Sequence, residues 1–414
     1  MELFIARQPI LDRHERVYGF EILLRPGGEV IWPAVSGDGS GEIASPVAPV
    51  APGIEEITDG TRAFIKCAAQ ALTEGYAAGL PRDQVVLEVN ARMDPNPAMV
   101  EACRKLKSAG FLIALEDFLG KEEEPLADLA HIIKLDVTAS AERAQWLLIR
   151  KYRPKGTIFV ADKVATRVQF QAAVQQGFSY FQGPFFLCPQ PHSASEVAPT
   201  KSVYLLVLSA VARPEINVQE LANTIKHDLA LSYKLLRFLN SARFAFHSQI
   251  KSIPHALLLL GQNEIRKWIG LISVASLGEG APPILVTLAL IRAAFCESLA
   301  PLLKVKQRQS DYFFLGLLSC MDVLIGRPMR LVLAELPLAP DVSAALTGEQ
   351  NSLRDALQIT LSFEQGNWEE FSRLAEKLAL DEQLLNELYL QALRWSRELI
   401  QARKNEPAEA LSRG

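Results

Sequence analysis

Residues 16–25 read RVYGFEILLR. Apolar and polar residues alternate along this stretch as they do on a half-buried strand. Successive side chains on a strand point to opposite faces, so Glu21, Leu23 and Arg25 share one side. A carboxylate and a guanidinium on the inside of a closed sheet are unfavourable unless they are paired or put to use. The flanking sequence predicts that the sheet does close. Upstream, Leu3–Pro9 is strand-like and is joined to Val17–Leu24 by the polar turn Asp12–Arg16, a link so short that it makes an antiparallel pair.

From Thr61 onward, strand-like and helix-like segments take turns. The predicted strands are Ala63–Cys67, Val85–Val89, Leu112–Leu115, Ile132–Leu135, Ile158–Ala161 and Tyr180–Gln182. Helix-like segments between them include Met99–Ala109, Glu142–Lys151 and Arg167–Gln176. Such alternation implies parallel strands with right-handed crossovers. With the opening pair the strand count reaches eight, which favours a closed TIM-like (β/α)8 barrel over an open sheet. The Gly-, Pro- and Ala-rich residues 26–53 read as loop with short helical turns, because Pro46, Pro49 and Pro52 break any long helix.

After Gln182 the segment FFLCPQPHSASEVAPT is rich in proline and serine and reads as a linker. Beyond it only helical spacing is found, through Val203–Ala212, Val218–Lys226, Ala230–Ser241, Ile253–Leu260, Glu264–Leu277, Pro283–Leu303, Asp311–Ile325, Leu353–Phe363, Trp368–Leu378 and Asp381–Ala402. Asn217, Asp228 and Asp381 stand at N-cap positions, and Pro254 and Pro328 at first-turn positions. The expected organisation is multidomain, α/β followed by all-α: a barrel over 1–190, a linker over 191–200, a helical domain over 201–403, and a frayed tail over 404–414.

Composition narrows the class. The 414 residues are 49% hydrophobic and 22% charged, an ordinary globular balance, with net charge −4. That charge leaves no basic footprint for nucleic acid. The first residues, MELFIARQPI, are not a secretory signal. The tracts Trp268–Leu277 and Ile284–Ile291 fall short of the roughly 20 apolar residues that span a bilayer, so no membrane segment is expected. The five cysteines are scattered with no CxxC pair, as reduced thiols of a cytoplasmic protein are.

The ends of the predicted strands carry most of the chemistry. Glu21, Lys66, Glu88, Glu116, Asp117, Lys134, Asp162 and Gln182 lie at or just past them. Active sites of such barrels form at the C-terminal mouth. Carboxylates meeting there can hold hard cations such as Mg²⁺, and two metals can activate water and clamp a phosphodiester.

On these residues the first half resembles the EAL domain, a bacterial phosphodiesterase family acting on cyclic di-GMP. The naming motif, Glu-Ala-Leu-x-Arg, reads Glu21-Ile22-Leu23-Leu24-Arg25 here. The resemblance implies Glu21, Glu88, Glu116 and Asp117 as metal ligands. It implies Lys134 and Asp162 as vestigial catalytic groups, with Lys134 matching the lysine that assists the attacking water. Arg25 and Gln182 would contact substrate, the latter through the late Gln182-Gly183 motif.

The departures from that pattern are pointed. Lys66 stands where the family has a metal-binding asparagine. Two unit charges about 4 Å apart interact by about 4 kcal/mol at a surface-like dielectric, so a dication beside Lys66 loses up to about twice that. Glu116 replaces an aspartate and moves a carboxylate out by one methylene, which spoils the octahedron Mg²⁺ demands. Asp162 is short where the family has glutamate. EDFLGKEEEP replaces the loop that couples dimerisation to the metal site. Lys66 and Lys134 are expected to neutralise the carboxylates as a dry ion-pair cluster, leaving no bound cofactor.

In the second half, His227-Asp228 has the letters of an HD phosphohydrolase pair but precedes LALSYKLLRFLN, where Asp228 reads as an N-cap. The surrounding segment, KHDLALSYKLLRFLNSARFAFHSQIKSIPHALLLLGQNEIRKW, resembles the HDOD domain, a helical relative of HD hydrolases that usually lacks their metal residues. Where an HD enzyme has Gly-Leu-Leu-His-Asp, this chain has Gly316-Leu317-Leu318-Ser319-Cys320. Both halves in this order resemble the EAL-HDOD (YuxH-type) family of bacterial signal-transduction proteins. The resemblance implies a non-hydrolytic cyclic di-GMP sensor or regulatory scaffold. Its implied partners are cyclic di-GMP, an unidentified signalling protein on the HDOD half, and a second copy in a homodimer. The alternative is an active Mg²⁺- or Mn²⁺-dependent cyclic di-GMP phosphodiesterase.

Overall fold

The computed structural model describes residues 4–25, 53–92, 96–118, 125–139, 141–189, 199–213, 215–226, 228, 231–233, 250 and 252–404. The readings of the 26–53 insert, most of the EDFLGKEEEP loop, the linker, the helix at Ala230–Ser241 and the tail fall largely outside those residues. The chain divides into two compact units. One comprises residues 1–188 with 361–372, and the other residues 189–360 with 373–414. Residues 361–372, read from sequence as part of the helical half, thus belong with the barrel.

The first unit is a closed eight-stranded barrel with its strands in chain order. They are β1 (Phe4–Asp12), β2 (Val17–Arg25), β3 (Arg62–Lys66), β4 (Val85–Asn90), β5 (Leu112–Glu116), β6 (Ile132–Asp136), β7 (Ile158–Asp162) and β8 (Tyr180–Gln182). β1 runs antiparallel to both of its neighbours, β2 and β8, and all other pairs are parallel. A register shift at Ile10/Leu11 adds to the local twist of β1.

Inside the barrel, Ile10, Phe64, Val86, Ala114, Ile132 and Val160 form one buried apolar layer, with Tyr18, Leu112, Ile158 and Tyr180 packed against it. This layer positions the site. Two residues further along each parallel strand, on the same face, come Lys66, Glu88, Glu116, Lys134, Asp162 and Gln182. The apolar layer is thus the floor on which a charged layer rests. Gly183, just past β8, has φ +131, and a Cβ there would lie 2.3 Å from the Val164 carbonyl oxygen. Glycine is therefore required for β8 to deliver Gln182. Further along the same face of β1, beyond Gln8, Phe4 meets the rings of Trp368 and Phe371 edge-on at 6.2 Å, and Phe371 is fully buried.

The second unit is helical. Its main helices include Pro199–Ala212, Val218–Lys226, Ile253–Leu277, Pro283–Leu302 and Gln309–Leu318. Ile253–Leu277 is interrupted at Gly261, whose φ of +77 separates two helical pieces, as the sequence spacing predicts. The expected single helix Asp311–Ile325 is instead two, Gln309–Leu318 and Met321–Ile325, divided at Ser319-Cys320. Met329–Ala334 and Pro340–Leu346 are short helices that the periodicity did not reveal. Asn217 and Asp381 cap as expected, accepting from Glu220 N and Leu384 N. Pro283–Leu302 has the length and hydropathy of a membrane span, beyond what the apolar tracts suggested. Two-thirds of its window, 67%, is buried in the folded chain, as in a core helix.

Candidate functional site

The mouth of the barrel holds a network of ions rather than a ring of open carboxylates. Lys134 is 1% exposed. Its Nζ donates to Glu21 Oε2 at 2.7 Å and to Glu88 Oε1 at 2.6 Å. Lys66 Nζ lies 3.3 Å from Glu21 Oε1 and 3.1 Å from Glu116 Oε2. Gln182 Nε2 donates to Glu21 Oε2 at 2.6 Å. Both oxygens of Glu21 are therefore engaged by cationic or amide donors.

The electrostatics follow from burial opposed by pairing. Burial pushes the Glu21 carboxyl up, but the Lys134 and Lys66 ammonium groups outweigh it and hold the group down at about 2. Burial dominates at Glu88, which is pushed up to about 8, with Glu21 and Glu116 adding to the shift and Lys134 opposing it. Charge balance explains the contrast. Two ammonium groups stand among four carboxyls, Glu21, Glu88, Glu116 and Asp162, so two are in excess, and Glu88 and Asp162 are the two that burial raises. Glu88 Oε2 is buried without a hydrogen-bond partner, as is Gln182 Oε1. Both lysines have their pKa raised, because the carboxylates outweigh the burial that would lower it. Burial also raises Asp162, with Lys134 opposing.

Other residues singled out from the sequence make different contacts. Asp117 follows β5 with φ +55. Its Oδ2 accepts from Asn90 at 3.4 Å and faces Arg92 Nε at 3.4 Å, so it is paired outside the lysine cluster. Asp162 Oδ1 accepts from the Lys163 backbone. The Arg25 guanidinium lies over the Phe4 ring at 5.2 Å. Gln8 was not foreseen. Its Oε1 accepts from Gln182 at 3.3 Å, and it sits opposite Glu21 in the β1–β2 register. The signal was present but inverted: β1 runs antiparallel, so the residue it contributes to the mouth lies two before the floor residue Ile10, not two after.

A divalent cation does not fit this donor set. Such an ion needs several free carboxylate oxygens in a regular shell, and both oxygens of Glu21, one of Glu88 and one of Glu116 face ammonium groups. Among the described residues, no group of three or more His, Cys, Asp or Glu is arranged to hold a metal.

In the helical unit, Asp228 caps its helix by accepting from Leu231 N at 2.8 Å. At the Ser319-Cys320 positions an arginine is found. Arg292 is 5% exposed and its Nη1 donates to Ser319 Oγ and Cys320 Sγ, each at 3.2 Å. A guanidinium thus stands beside the serine and cysteine that replace the HD letters. Its place in the apolar helix Pro283–Leu302 gave no sequence signal.

Residues 197–365 match the HDOD domain family. Over 413 residues the chain is 32% identical to "Uncharacterized protein YuxH" of Bacillus subtilis, covering 97% of this chain and 100% of that protein. It is 28% identical over 400 residues to "Cyclic di-GMP phosphodiesterase CdgJ" of Vibrio cholerae, covering 96% and 93%. Among solved structures it resembles the YkuI protein of Bacillus subtilis, with an EAL domain, in complex with cyclic di-GMP and calcium. That match is 16% identical with a TM-score of 0.34, covering 63% of this chain and 73% of that one.

Proposed function

From the premise that this chain belongs to the EAL-HDOD family of signal-transduction proteins, we propose that its barrel is a degenerate, non-hydrolytic EAL module. It would act as a cyclic di-GMP sensor or regulatory scaffold, with the HDOD unit as the output that engages a signalling protein. The observation that carries this reading is the pair of ammonium groups, Lys66 and Lys134, lodged among Glu21, Glu88 and Glu116. They supply the positive charge that metal would bring, so the mouth is neutralised without it. A nucleotide phosphate would then meet lysine and arginine donors but no metal-activated water.

The test uses the purified full chain with cyclic di-GMP, in Mg²⁺, in Mn²⁺ and in excess chelator. The expected result is no linear dinucleotide product in any condition, and calorimetric binding of cyclic di-GMP that is the same with chelator as with Mg²⁺. Metal-dependent turnover abolished by Glu21→Ala would replace this reading with the phosphodiesterase one, which the 28% identity to CdgJ supports.

A further inference from the structure

A cavity of about 210 Å³ lies within the helical unit, where the C-terminal part of Ile253–Leu277 meets Pro283–Leu302 and Glu382–Lys404. Glu264, Lys267, Trp268, Glu297, Gln391 and Trp395 line it. The two indole rings have centroids 6.3 Å apart, tilted by 36°. Lys267 is ion-paired to Glu297, and more loosely, at 3.3 Å, to Glu264. Its Nζ also lies 5.9 Å from the centre of the Phe313 ring.

We propose that this cavity binds a small organic cation with an alkyl-clad ammonium head. The space is far larger than a water needs. Its lining joins paired indoles to two carboxylates opposed by one ammonium. Indole faces attract cations whose charge is spread under methyl or methylene groups. Glu297 consumes the charge of Lys267. Glu264 is 44% exposed and only loosely bonded, so it is the carboxylate left to meet an incoming charge. An anion would face both carboxylates and is disfavoured. A neutral apolar molecule would fill the space but leave the surplus negative charge uncompensated.

Choline is a suitable probe, with 3,3-dimethyl-1-butanol as its uncharged isostere. Isothermal titration calorimetry of the full chain at fixed ionic strength should show saturable choline binding, at least about tenfold tighter than binding of the alcohol. Glu264→Gln and Trp395→Leu should each weaken choline binding by about tenfold while circular dichroism and melting temperature stay close to those of the parent. Glu264 is partly exposed, so Glu264→Gln keeps the test decisive should Trp395→Leu fold poorly. The proposal fails if choline gives no saturable heat, if the alcohol binds equally well, or if Glu264→Gln leaves choline binding unchanged.

Discussion

Lys134 carries its charge at 1% exposure between Glu21 and Glu88. Replacing it with methionine keeps the length but strips the ionised Glu21 of its closest cation, and Glu88 of its donor, in a low-dielectric site. Breaking a buried pair in this way costs about 3–5 kcal/mol. Urea denaturation of Lys134→Met should show a correspondingly lower midpoint, and a midpoint equal to the parent's would mean the lysine is not holding the mouth together. Acid and base act in opposite directions on its partners. Glu21 titrates at about 2 in the folded chain but near 4.3 when unfolded. Its stabilisation is present above that unfolded value and is lost as pH falls through about 2. Glu88, raised to about 8, keeps a proton that the unfolded chain has already released, so stability declines as pH rises from about 4.3 towards 8. Urea midpoints measured across pH 2 to 9 should therefore flatten on the acid side in Glu21→Gln and on the neutral side in Glu88→Gln. The same profile in parent and variants would rule out these assignments.

Helix Gln309–Leu318 approaches helix Pro283–Leu302 through Gly316. A Cβ at Gly316 would sit 2.2 Å from the Arg292 carbonyl oxygen and 2.5 Å from Ala293 N. Backbone atoms cannot swing aside as a side chain can, so Gly316→Ala must separate the helices. That would disturb the Arg292 contacts to Ser319 and Cys320. Overpacking usually costs about 1–3 kcal/mol, and rigid backbone puts this case at the upper end. Thermal unfolding should register a lowered transition for the variant, and an unchanged melting temperature would show that the pair has slack. In the barrel, the element that decides the mouth is β1. Because it alone runs antiparallel to its neighbours, its Gln8 enters the polar layer from the opposite chain direction.

At the scale of the molecule, the barrel is completed by residues distant in sequence. Phe4 packs on Trp368 and Phe371, Gln8 Nε2 donates to the Gln365 carbonyl at 3.1 Å, and residues 361–372 group with residues 1–188. A chain ended at residue 190 would leave Phe4 without those rings. Exposed apolar patches of this kind promote association. The truncated chain should bind a hydrophobic dye and melt below the full chain. A truncation that melts at the parent temperature without dye binding would show that residues 361–372 are dispensable to the barrel.

Much of this was legible without coordinates. Period-two alternation in RVYGFEILLR, repeated strand-helix spacing and the shift to helical periodicity after residue 200 are local properties. They were sufficient for the eight strands, the closed barrel and the helical second half. The predicted strand ends placed Glu21, Glu88, Lys134 and Gln182 near one mouth, because the strands of such a barrel end at one face. Which ammonium meets which carboxylate was not legible, since those distances depend on how strands far apart in sequence are staggered on closure. Nor was Gln8, whose strand is reversed, or Arg292, hidden in an apolar helix, or residues 361–372, which look like any other amphipathic stretch. The sequence alone determined which side chains share a face, because that follows from backbone periodicity. Only the tertiary structure decided which charges are paired, and which carboxyls are left in excess, because pairing depends on through-space distance and burial.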